Sequence, residues 1–369
     1  MVVNIHKTMR KTLLIFIALI ACSLSAPAQK VSRSFVVGFY NLENLFDTYH
    51  DDGKNDYEYL PEGANQWTEA KYEKKLKNMA RVIAEMAKEN GQFHAILGIS
   101  EIENRHVVED LVVQDAIASA NFQIVHYDGP DRRGVDVGLL YRPELFTLLD
   151  SRSIPFTFDE DTEVEYTLTK EEQEDFRTRD ILMVRGLLDG EMFAFYVAHL
   201  PSRVGGKGQD LRPRGAEIIY RDAIALMKEF PGIKIAVLGD MNDNPTDDSM
   251  LKFMHAVPQP EQAGPENFFS PFLPMLQAGY GSLAYRGEWS IYDLILVNQA
   301  IAQAPTGTLR ILPIVKGKKK ARYYGRIFHK DFMTTQEGQY KGTPFRTFSS
   351  GTFIGGYSDH YPTYIMLGK

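Results

Sequence analysis

Runs of apolar residues that end abruptly in acids, amides or histidines recur along this chain. The runs at 34–41, 93–100 and 233–238 are almost uniformly apolar and of strand length, which is typical of strands buried on both faces. Between the first two runs, apolar residues recur at helical spacing over 67–90, and that pattern stops at Gly91, a residue type common at helix C-termini. This order predicts a strand, a helix and a second strand.

The alternation of strand and helix continues through the rest of the sequence. Helices are predicted at 104–118 and 216–230, and the acidic stretch 159–175 is typical of a solvated loop or a short helix. The pair Asp189-Gly190 separates two apolar runs, which strongly indicates a β-hairpin. Two packed sheets with helices outside them would account for the pattern, so we expect an α/β fold. Further strands are predicted at 122–127, 135–141, 181–187, 192–199 and 291–297.

Composition narrows the classes of function. The 369 residues are 44% hydrophobic, which is enough for a large core. A formal net charge of -7 argues against a protein that coats nucleic acid, because that role needs a broad excess of Lys and Arg. An enzyme that contacts only one or two phosphates is still allowed.

The first 28 residues have the pattern of a secretion signal. A basic start precedes an apolar stretch at 12–21, and small residues ending at Ala28 form a cleavage site. Cys22, the single cysteine, follows a segment that resembles a lipoprotein cleavage box. Cleavage after Ala28, lipidation of Cys22 and an uncleaved anchor are therefore three alternatives. In each case we predict an exported protein, periplasmic or extracellular, whose membrane contact would be limited to this segment.

Metal-type and phosphate-type ligands stand where the predicted strands end. Each alone could be a turn residue or a helix-start residue, but their recurrence favours one shared site. Two carboxylates about 4 Å apart repel by roughly 4 kcal/mol at an effective dielectric near 20, so gathering several would be costly without a cation. Carboxylate and amide oxygens suit Mg²⁺, Mn²⁺ or Ca²⁺. The residues are Asn41, Glu101, His199, Asp240 with Asn242, and Asp359 with His360.

The ordered motifs FYNLENLF, GISEIEN, AHLPSR, GDMNDNP, WSIYDLILVN and SDHYP resemble those of the endonuclease/exonuclease/phosphatase superfamily, the DNase I-like metal-dependent phosphodiesterases and phosphatases. The resemblance runs from about residue 34 to 367. It implies a four-layer αββα sandwich of two packed mixed sheets flanked by helices. It also implies that 29–369 is a single catalytic domain.

The resemblance further implies a role for each polar residue. Glu101 resembles the principal metal ligand, Asn41 a metal or phosphate ligand beside it, and Asp359 the second metal-site carboxylate. Asp240 resembles the residue that orients or deprotonates the attacking water, and Asn242 the amide that holds the phosphate. His360 resembles the histidine that binds the phosphoryl oxygen, with Asp293 fixing its tautomer, and His199 matches a second site histidine.

Four further residues are considered from the sequence itself. A lone acid in an apolar strand must be paired, so Asp136 is expected to be the partner of His199, with a structural salt bridge as the alternative. Arg179 and Arg203 are candidates for binding the substrate phosphate, since a guanidinium offers bidentate contacts. Trp289 lies four residues before Asp293 and either lines the pocket or packs in the core.

The leading hypothesis is an exported, divalent-metal-dependent phosphoesterase, of which an endonuclease-type phosphodiesterase is the favoured subtype and nucleic acid the favoured substrate. The basic run at 316–322 either contacts a polyanion or protects a hairpin edge. The alternatives within the family are phosphodiesterases or phosphatases that act on a lipid, on an inositol phosphate or on a sugar phosphate. A different class, a protein that binds a phosphorylated ligand without cleaving it, stays open. No stable protein partner is inferred.

Overall fold

Two seven-stranded β-sheets and the helices around them make up the fold. The computed structural model describes residues 33–203, 208–316 and 321–369. The predicted signal segment 1–28 and the centre of the basic run, 317–320, lie outside these ranges. Within the described part, Phe35–Lys369 forms one compact unit, and no helix there has the length and apolar character needed to cross a bilayer.

The helices and strands are numbered in chain order. The helices are α1 Glu69–Asn90, α2 Arg105–Val112, α3 Lys170–Asp175, α4 Leu211–Glu229, α5 Leu273–Gln277 and α6 Gln299–Ala302. The first ten strands are β1 Ser34–Leu45, β2 Ile96–Ile102, β3 Gln123–His126, β4 Asp136–Tyr141, β5 Phe146–Ile154, β6 Ile181–Leu188, β7 Glu191–His199, β8 Lys234–Asp240, β9 Ala256–Val257 and β10 Phe268–Phe269. The others are β11 Leu283–Tyr285, β12 Glu288–Ser290, β13 Asp293–Asn298, β14 Arg310–Ile311, β15 Ile314–Lys316, β16 Ala321–Tyr323, β17 Gly325–Ile327, β18 Phe348–Ser349, β19 Thr352–Phe353 and β20 Thr363–Gly368.

Both large sheets are mixed. Sheet one has the order β14-β20-β1-β2-β4-β3, with β17 also paired to β20. In it, β1 and β2 are parallel and β2 and β4 antiparallel. Sheet two has the order β5-β6-β7-β8-β13-β10-β9, in which β7 and β8 are parallel and β13 runs antiparallel to β8.

Strand β1 shows how the layers are stacked. Phe35, Val37 and Phe39 belong to the apolar cluster that also holds the side chains of sheet two. Val36 and Tyr40 belong to the other cluster, together with the apolar faces of α1 and α2. Since successive side chains of a strand point to opposite faces, one face of β1 packs on the second sheet and the other on helices. The α/β sandwich expected from the sequence is confirmed.

Most predicted elements are present. Helix α1 ends at Gly91, which has a φ of 70°, as expected of a left-handed C-cap. The β6–β7 hairpin turns at Asp189 and Gly190, whose φ values are 50° and 81°. Helix α2 is shorter than predicted because it ends at Val112, and α4 begins at Leu211, before the start predicted at 216.

Candidate active site

Three polar side chains form one row across the middle of sheet two. His199 is the register partner of Asp240 in the parallel β7–β8 pair, and Asp240 is the register partner of Asp293 in the antiparallel β8–β13 pair. Residues that face each other across neighbouring strands lie side by side, so the row follows from strand pairing alone. All three side chains are buried.

Register shifts at the ends of β1 and β2 orient the side chains that sheet one contributes to the site. The β1–β2 register is regular to Asn41 and Ser100 and then shifts, and β2 shifts again against β4 between Ser100 and Ile102. Glu101 lies at this second shift with a φ of 57°, a left-handed conformation that costs a non-glycine residue about 1–2 kcal/mol. Such bulges turn a side chain out of the strand alternation. Here the bulge directs Glu101 towards the row on sheet two.

Asn41 joins the two halves of the site. Its Nδ2 donates to Glu101 Oε1 at 3.2 Å and to Asp240 Oδ2 at 3.0 Å, and its Oδ1 accepts from the Glu43 N–H at 2.8 Å. An amide nitrogen is a donor and does not ligate a cation. In this geometry Asn41 holds two carboxylates together, and its expected role as a metal or phosphate ligand stays a prediction.

Asp240 is at the centre of the cluster. One carboxylate oxygen accepts from the Asn242 N–H at 2.9 Å and the other from Asn41. Burial, followed by the negative charges of Asp293 and Glu101, raises the pKa of Asp240 to about 7, although His360 opposes the shift. A carboxylate with this pKa is suited to take a proton near neutral pH.

His360 and Asp293 form a hydrogen-bonded pair. His360 Nδ1 lies 2.8 and 3.0 Å from the Asp293 oxygens, and since a carboxylate only accepts, Nδ1 is the donor. Nε2 is left facing the site, 3.8 Å from Asp240 and 3.9 Å from Asp359. Burial lowers the pKa of His360, but Asp293 and Asp240 outweigh it, and the net shift is well above the usual value. The ring is thus held as an imidazolium with one N–H aimed into the site.

A chain of charges behind Asp359 was not anticipated. Arg346 donates to Asp359 Oδ2 at 2.9 Å and to Glu43 Oε1 at 3.2 Å, while Lys75 lies 3.8 Å from Glu43. Lys75 is fully buried and donates to Thr347 Oγ1 at 2.6 Å. The signal was in the sequence, because a lysine at position 75 falls on the apolar face of α1.

His199 has a different environment from the one predicted. Its Nε2 lies 3.8 Å from Glu101 and 3.7 Å from Asp240, and its Nδ1 is buried with no hydrogen-bond partner among the described residues. Burial, and then the nearby charge of Arg179, lowers the pKa of His199 well below the usual value, so the ring is neutral.

Asp136 is not the partner of His199, and this prediction is wrong. One oxygen of Asp136 lies 3.3 Å from His126 Nε2 and the other accepts from the Gly129 N–H at 3.0 Å. The rule that a buried acid needs a partner holds, but the partner comes from the neighbouring strand β3.

The two arginines predicted to bind substrate have internal partners instead. Arg179 is buried and donates to the carbonyls of His199 and Leu200, at 3.1 and 2.9 Å, and to Asp131. Arg203 donates to the Asn242 carbonyl at 2.8 Å and pairs with Asp243 and Asp247. Arg179 is buried and needs these acceptors, whereas Arg203 is exposed and keeps part of its guanidinium open to solvent. Contact of either arginine with a substrate phosphate stays a prediction.

Asn242 lies beside Asp240 in a tight turn. Its φ is 49°, and its Nδ2 donates one hydrogen to the Leu200 carbonyl at 3.0 Å. An amide nitrogen carries a second hydrogen. Contact with a phosphate oxygen through that hydrogen stays a prediction.

The donor set fits a hard divalent cation. Ligand atoms of Glu101, His199 and Asp240 lie within 4.8 Å of one another, as do those of Asp240, Asp293 and His360. Burial is the main cause of the raised pKa of Asp240, and the negative charges of Asp293 and Glu101 add to it, so a bound cation would favour the ionised carboxylate. Oxygen donors outnumber the single neutral imidazole, which favours Mg²⁺, Mn²⁺ or Ca²⁺ over zinc.

Comparison with known proteins identifies relatives of this architecture. A sequence model described as the endonuclease/exonuclease/phosphatase family matches residues 36–369. The fold is similar to that of a mannosyl-6-phosphatase from Bacteroides thetaiotaomicron, at 14% identity and a TM-score of 0.53, covering 91% of this chain and 100% of that chain. A family protein from the same organism gives 14% identity and a TM-score of 0.52, covering 91% and 95%.

The human Nocturnin catalytic domain with bound sulfate is also similar, at 14% identity and a TM-score of 0.50, covering 91% of this chain and 94% of that chain. At these identities the structural matches establish the fold alone. Among curated protein sequences none matches this chain.

Proposed function

Because the chain belongs to the endonuclease/exonuclease/phosphatase family, we propose that it hydrolyses a phosphate ester by direct attack of water in a divalent-metal-dependent reaction. One observation carries the proposal. Glu101 from sheet one, Asp240 from sheet two and His360 from the segment before β20 converge on one cluster, with Asp293 fixing the orientation of His360.

The proton positions suggest how the residues divide the work. Asp240, with its pKa raised to about 7, can accept a proton from a water molecule placed beside it. His360 presents Nε2–H to the same space and can donate a hydrogen bond to a phosphoryl oxygen, where negative charge develops in the transition state. Asp293 keeps Nδ1 protonated and so keeps Nε2 correctly aimed.

Glu101 and Asp359 are the residues proposed to hold the cation, with Asn41 restraining Glu101. A bound divalent cation would neutralise charge on the phosphoryl oxygens and on the leaving oxygen. Arg346 holds Asp359 at the rim through a 2.9 Å hydrogen bond. Mg²⁺ is the proposed ion, with Mn²⁺ and Ca²⁺ as alternatives.

Hydrolysis of bis-(p-nitrophenyl) phosphate with Mg²⁺ tests the proposal. The protein should release nitrophenol, and both a chelator and His360→Ala should abolish the release. His106→Ala is the matched control, since His106 is exposed on α2. A protein that binds phosphorylated ligands without cleaving them would give no release in any sample, and that result would reject the proposal.

The substrate is a separate question. A nuclease remains the subtype favoured by the sequence, but the two arginines expected to contact a phosphate backbone are held internally. A parallel screen of single-stranded and duplex DNA, RNA, sphingomyelin, inositol phosphates and nucleotides would rank the substrate classes. Turnover of DNA or RNA above all small phosphate esters would support the nuclease subtype.

Export is proposed from the N-terminal pattern alone. Cell fractionation should find the protein outside the cytoplasm. Replacing Cys22 by Ser would leave that location unchanged if the signal is cleaved after Ala28, and would release the protein from the membrane fraction if Cys22 is lipidated.

A further inference from the structure

A cavity of about 560 Å³ is lined in part by Tyr361, the residue that follows His360. Its size is that of a pocket for a small molecule, for which roughly 300–1,000 Å³ is usual. Aromatic side chains form much of its wall, namely Tyr280, Trp289, Tyr323 and Tyr361. Trp289 and Tyr361 are stacked, with ring centroids 6.2 Å apart and planes inclined by 16°. Flat walls of this kind suit a sugar or base ring.

The cavity and the catalytic pair are built from the same segments. Tyr361 directly follows His360, and its N–H donates to the Ser282 carbonyl at 2.7 Å. The Ser282 hydroxyl in turn donates to Asp293. Gly281, before Ser282, lines the cavity, and a Cβ there would come within 2.5 Å of the Trp289 ring, so only glycine allows this close packing. A molecule in the cavity would therefore lie against the unit that positions His360.

A cation on the cavity wall, Arg326, is only partly satisfied by the residues that the structure describes. Arg326 on β17 stacks over the Tyr364 ring at 5.6 Å, and its Nη1 is buried with no hydrogen-bond partner among the residues the structure describes. The neighbouring Lys330 is paired with Glu89, whose other oxygen accepts from the Tyr364 hydroxyl at 3.1 Å. Burial lowers the pKa of the Arg326 guanidinium. Arg326 is partly buried, and the nearby charge of Glu89 only partly offsets the effect of burial on its pKa. A buried Nη1 without an acceptor is costly, which points to an acceptor supplied from outside the chain.

We propose that this cavity is a specificity subsite that binds a second anionic group of the substrate at Arg326, beside a ring packed on the aromatic wall. The inference rests on the proposed function, since it places the scissile phosphate at His360. It defines the substrate class as a phosphate ester that carries a ring and a further phosphate or carboxylate. The proposed substrate is therefore a small molecule. Binding at this subsite does not need the repeated phosphates of a long nucleic acid.

Binding without metal tests the subsite apart from catalysis. In EDTA, calorimetry measures the affinity of two probes, adenosine 3′,5′-bisphosphate and glucose 1,6-bisphosphate, which distinguish a base-bearing ring from a sugar alone. Arg326→Gln should weaken at least one of them about tenfold or more, and Arg326→Lys should weaken it less. Binding should quench tryptophan fluorescence, and Trp289→Phe should remove the quenching.

Arg105→Gln is the matched control, because Arg105 is an exposed arginine paired with Glu109 on α2. It should leave both affinities unchanged. Equal affinities for the wild type and Arg326→Gln, with thermal melting showing both folded, would overturn the proposal. Binding that is too weak to detect with both probes would overturn it as well.

The failure of this proposal is separable from the failure of the proposed function. If the subsite is wrong but the function is right, bis-(p-nitrophenyl) phosphate is hydrolysed with Mg²⁺ while Arg326→Gln binds both probes as the wild type does. If the function is wrong and the subsite right, no ester is hydrolysed, yet the affinity for a probe still depends on Arg326.

Discussion

His360 depends on Asp293 for its orientation. In Asp293→Asn no carboxylate remains to stabilise the imidazolium, and an amide N–H offered to Nδ1 leaves a neutral ring that has lost its positive charge in the site. We expect kcat to fall by about 10²–10⁴, the range usual for a lost acid–base group. Steady-state hydrolysis of bis-(p-nitrophenyl) phosphate measures the change. The exposed Asp115→Asn is the control, and an unchanged kcat in Asp293→Asn would contradict the assigned role.

Glu101 and Asp240 are assigned different roles, and titration calorimetry with Mg²⁺ can separate them. Glu101→Ala should weaken Mg²⁺ binding, because it removes a proposed ligand. Asp240→Asn keeps the shape of the side chain and an oxygen for the Asn41 amide, so it should retain the metal and stop turnover. An equal loss of metal affinity in both variants would show that Asp240 is a ligand instead.

The sequence indicated which residues belong to the candidate site better than it indicated the contacts that they make. Asp240 ends a strand that is visible in the sequence, whereas Asp293 begins β13 and His360 precedes β20, and these two were assigned from the motifs that resemble the family. The partner of Asp136 could not be assigned, because two histidines compete and only the pairing of β3 with β4 brings His126 beside it. The internal acceptors of Arg179 and Arg203 were missed for the same reason, since they are backbone carbonyls and acids of other loops, and contact of either arginine with substrate stays a prediction.

At the scale of elements, α1 is attached to the C-terminal part of the chain by charge. Lys75 is fully buried in this helix and interacts with Glu43, so Lys75→Met leaves Glu43 with Arg346 alone. We expect the free energy of unfolding to fall by about 3–5 kcal/mol, as when one partner of a buried pair is removed. Denaturant unfolding measures the loss.

The double variant Lys75→Met with Glu43→Gln should lose less stability than the sum of the two single variants, because no buried charge is left uncompensated. Lys77→Met, exposed on the same helix, should change stability by no more than about 0.5 kcal/mol. Additive losses in the double variant would mean that Lys75 and Glu43 do not interact.

Element boundaries followed local signals where these were strong. Gly91 ends α1 and Asp189-Gly190 turns the β6–β7 hairpin, because each needs a positive φ that few residues adopt. Strand β5 was not predicted, since apart from its buried ends, Phe146 and Ile154, its side chains are at least partly exposed. Its place at the edge of sheet two depends on pairing with β6, which leaves no periodic trace in the sequence.

For the whole molecule, His94 should account for part of the stability that is lost in acid. Both ring nitrogens are buried without a hydrogen-bond partner among the described residues, and burial lowers the pKa of His94 to about 3. The unfolded chain takes up a proton near pH 6.5 and the folded chain only near pH 3, so this stability is lost as the pH falls between those values. We expect a loss of up to about 3 kcal/mol by pH 4.

His94→Leu removes the titrating group and should flatten the fall in unfolding free energy between pH 6.5 and 4. Thermal or denaturant unfolding at several pH values measures the slope. The exposed His106→Leu is the control and should keep the slope of the parent protein. Parallel curves for His94→Leu and the parent would contradict this prediction.

The pairing of β20 with β1 has a consequence for biosynthesis. Asn41 stands on β1, whereas His360 lies just before β20, so 319 positions separate two residues of one site. A ribosome makes Asn41, Glu101, His199 and Asp240 long before it reaches His360. On the roles proposed for these residues, the nascent polypeptide would have no activity until almost all of the described domain has been translated.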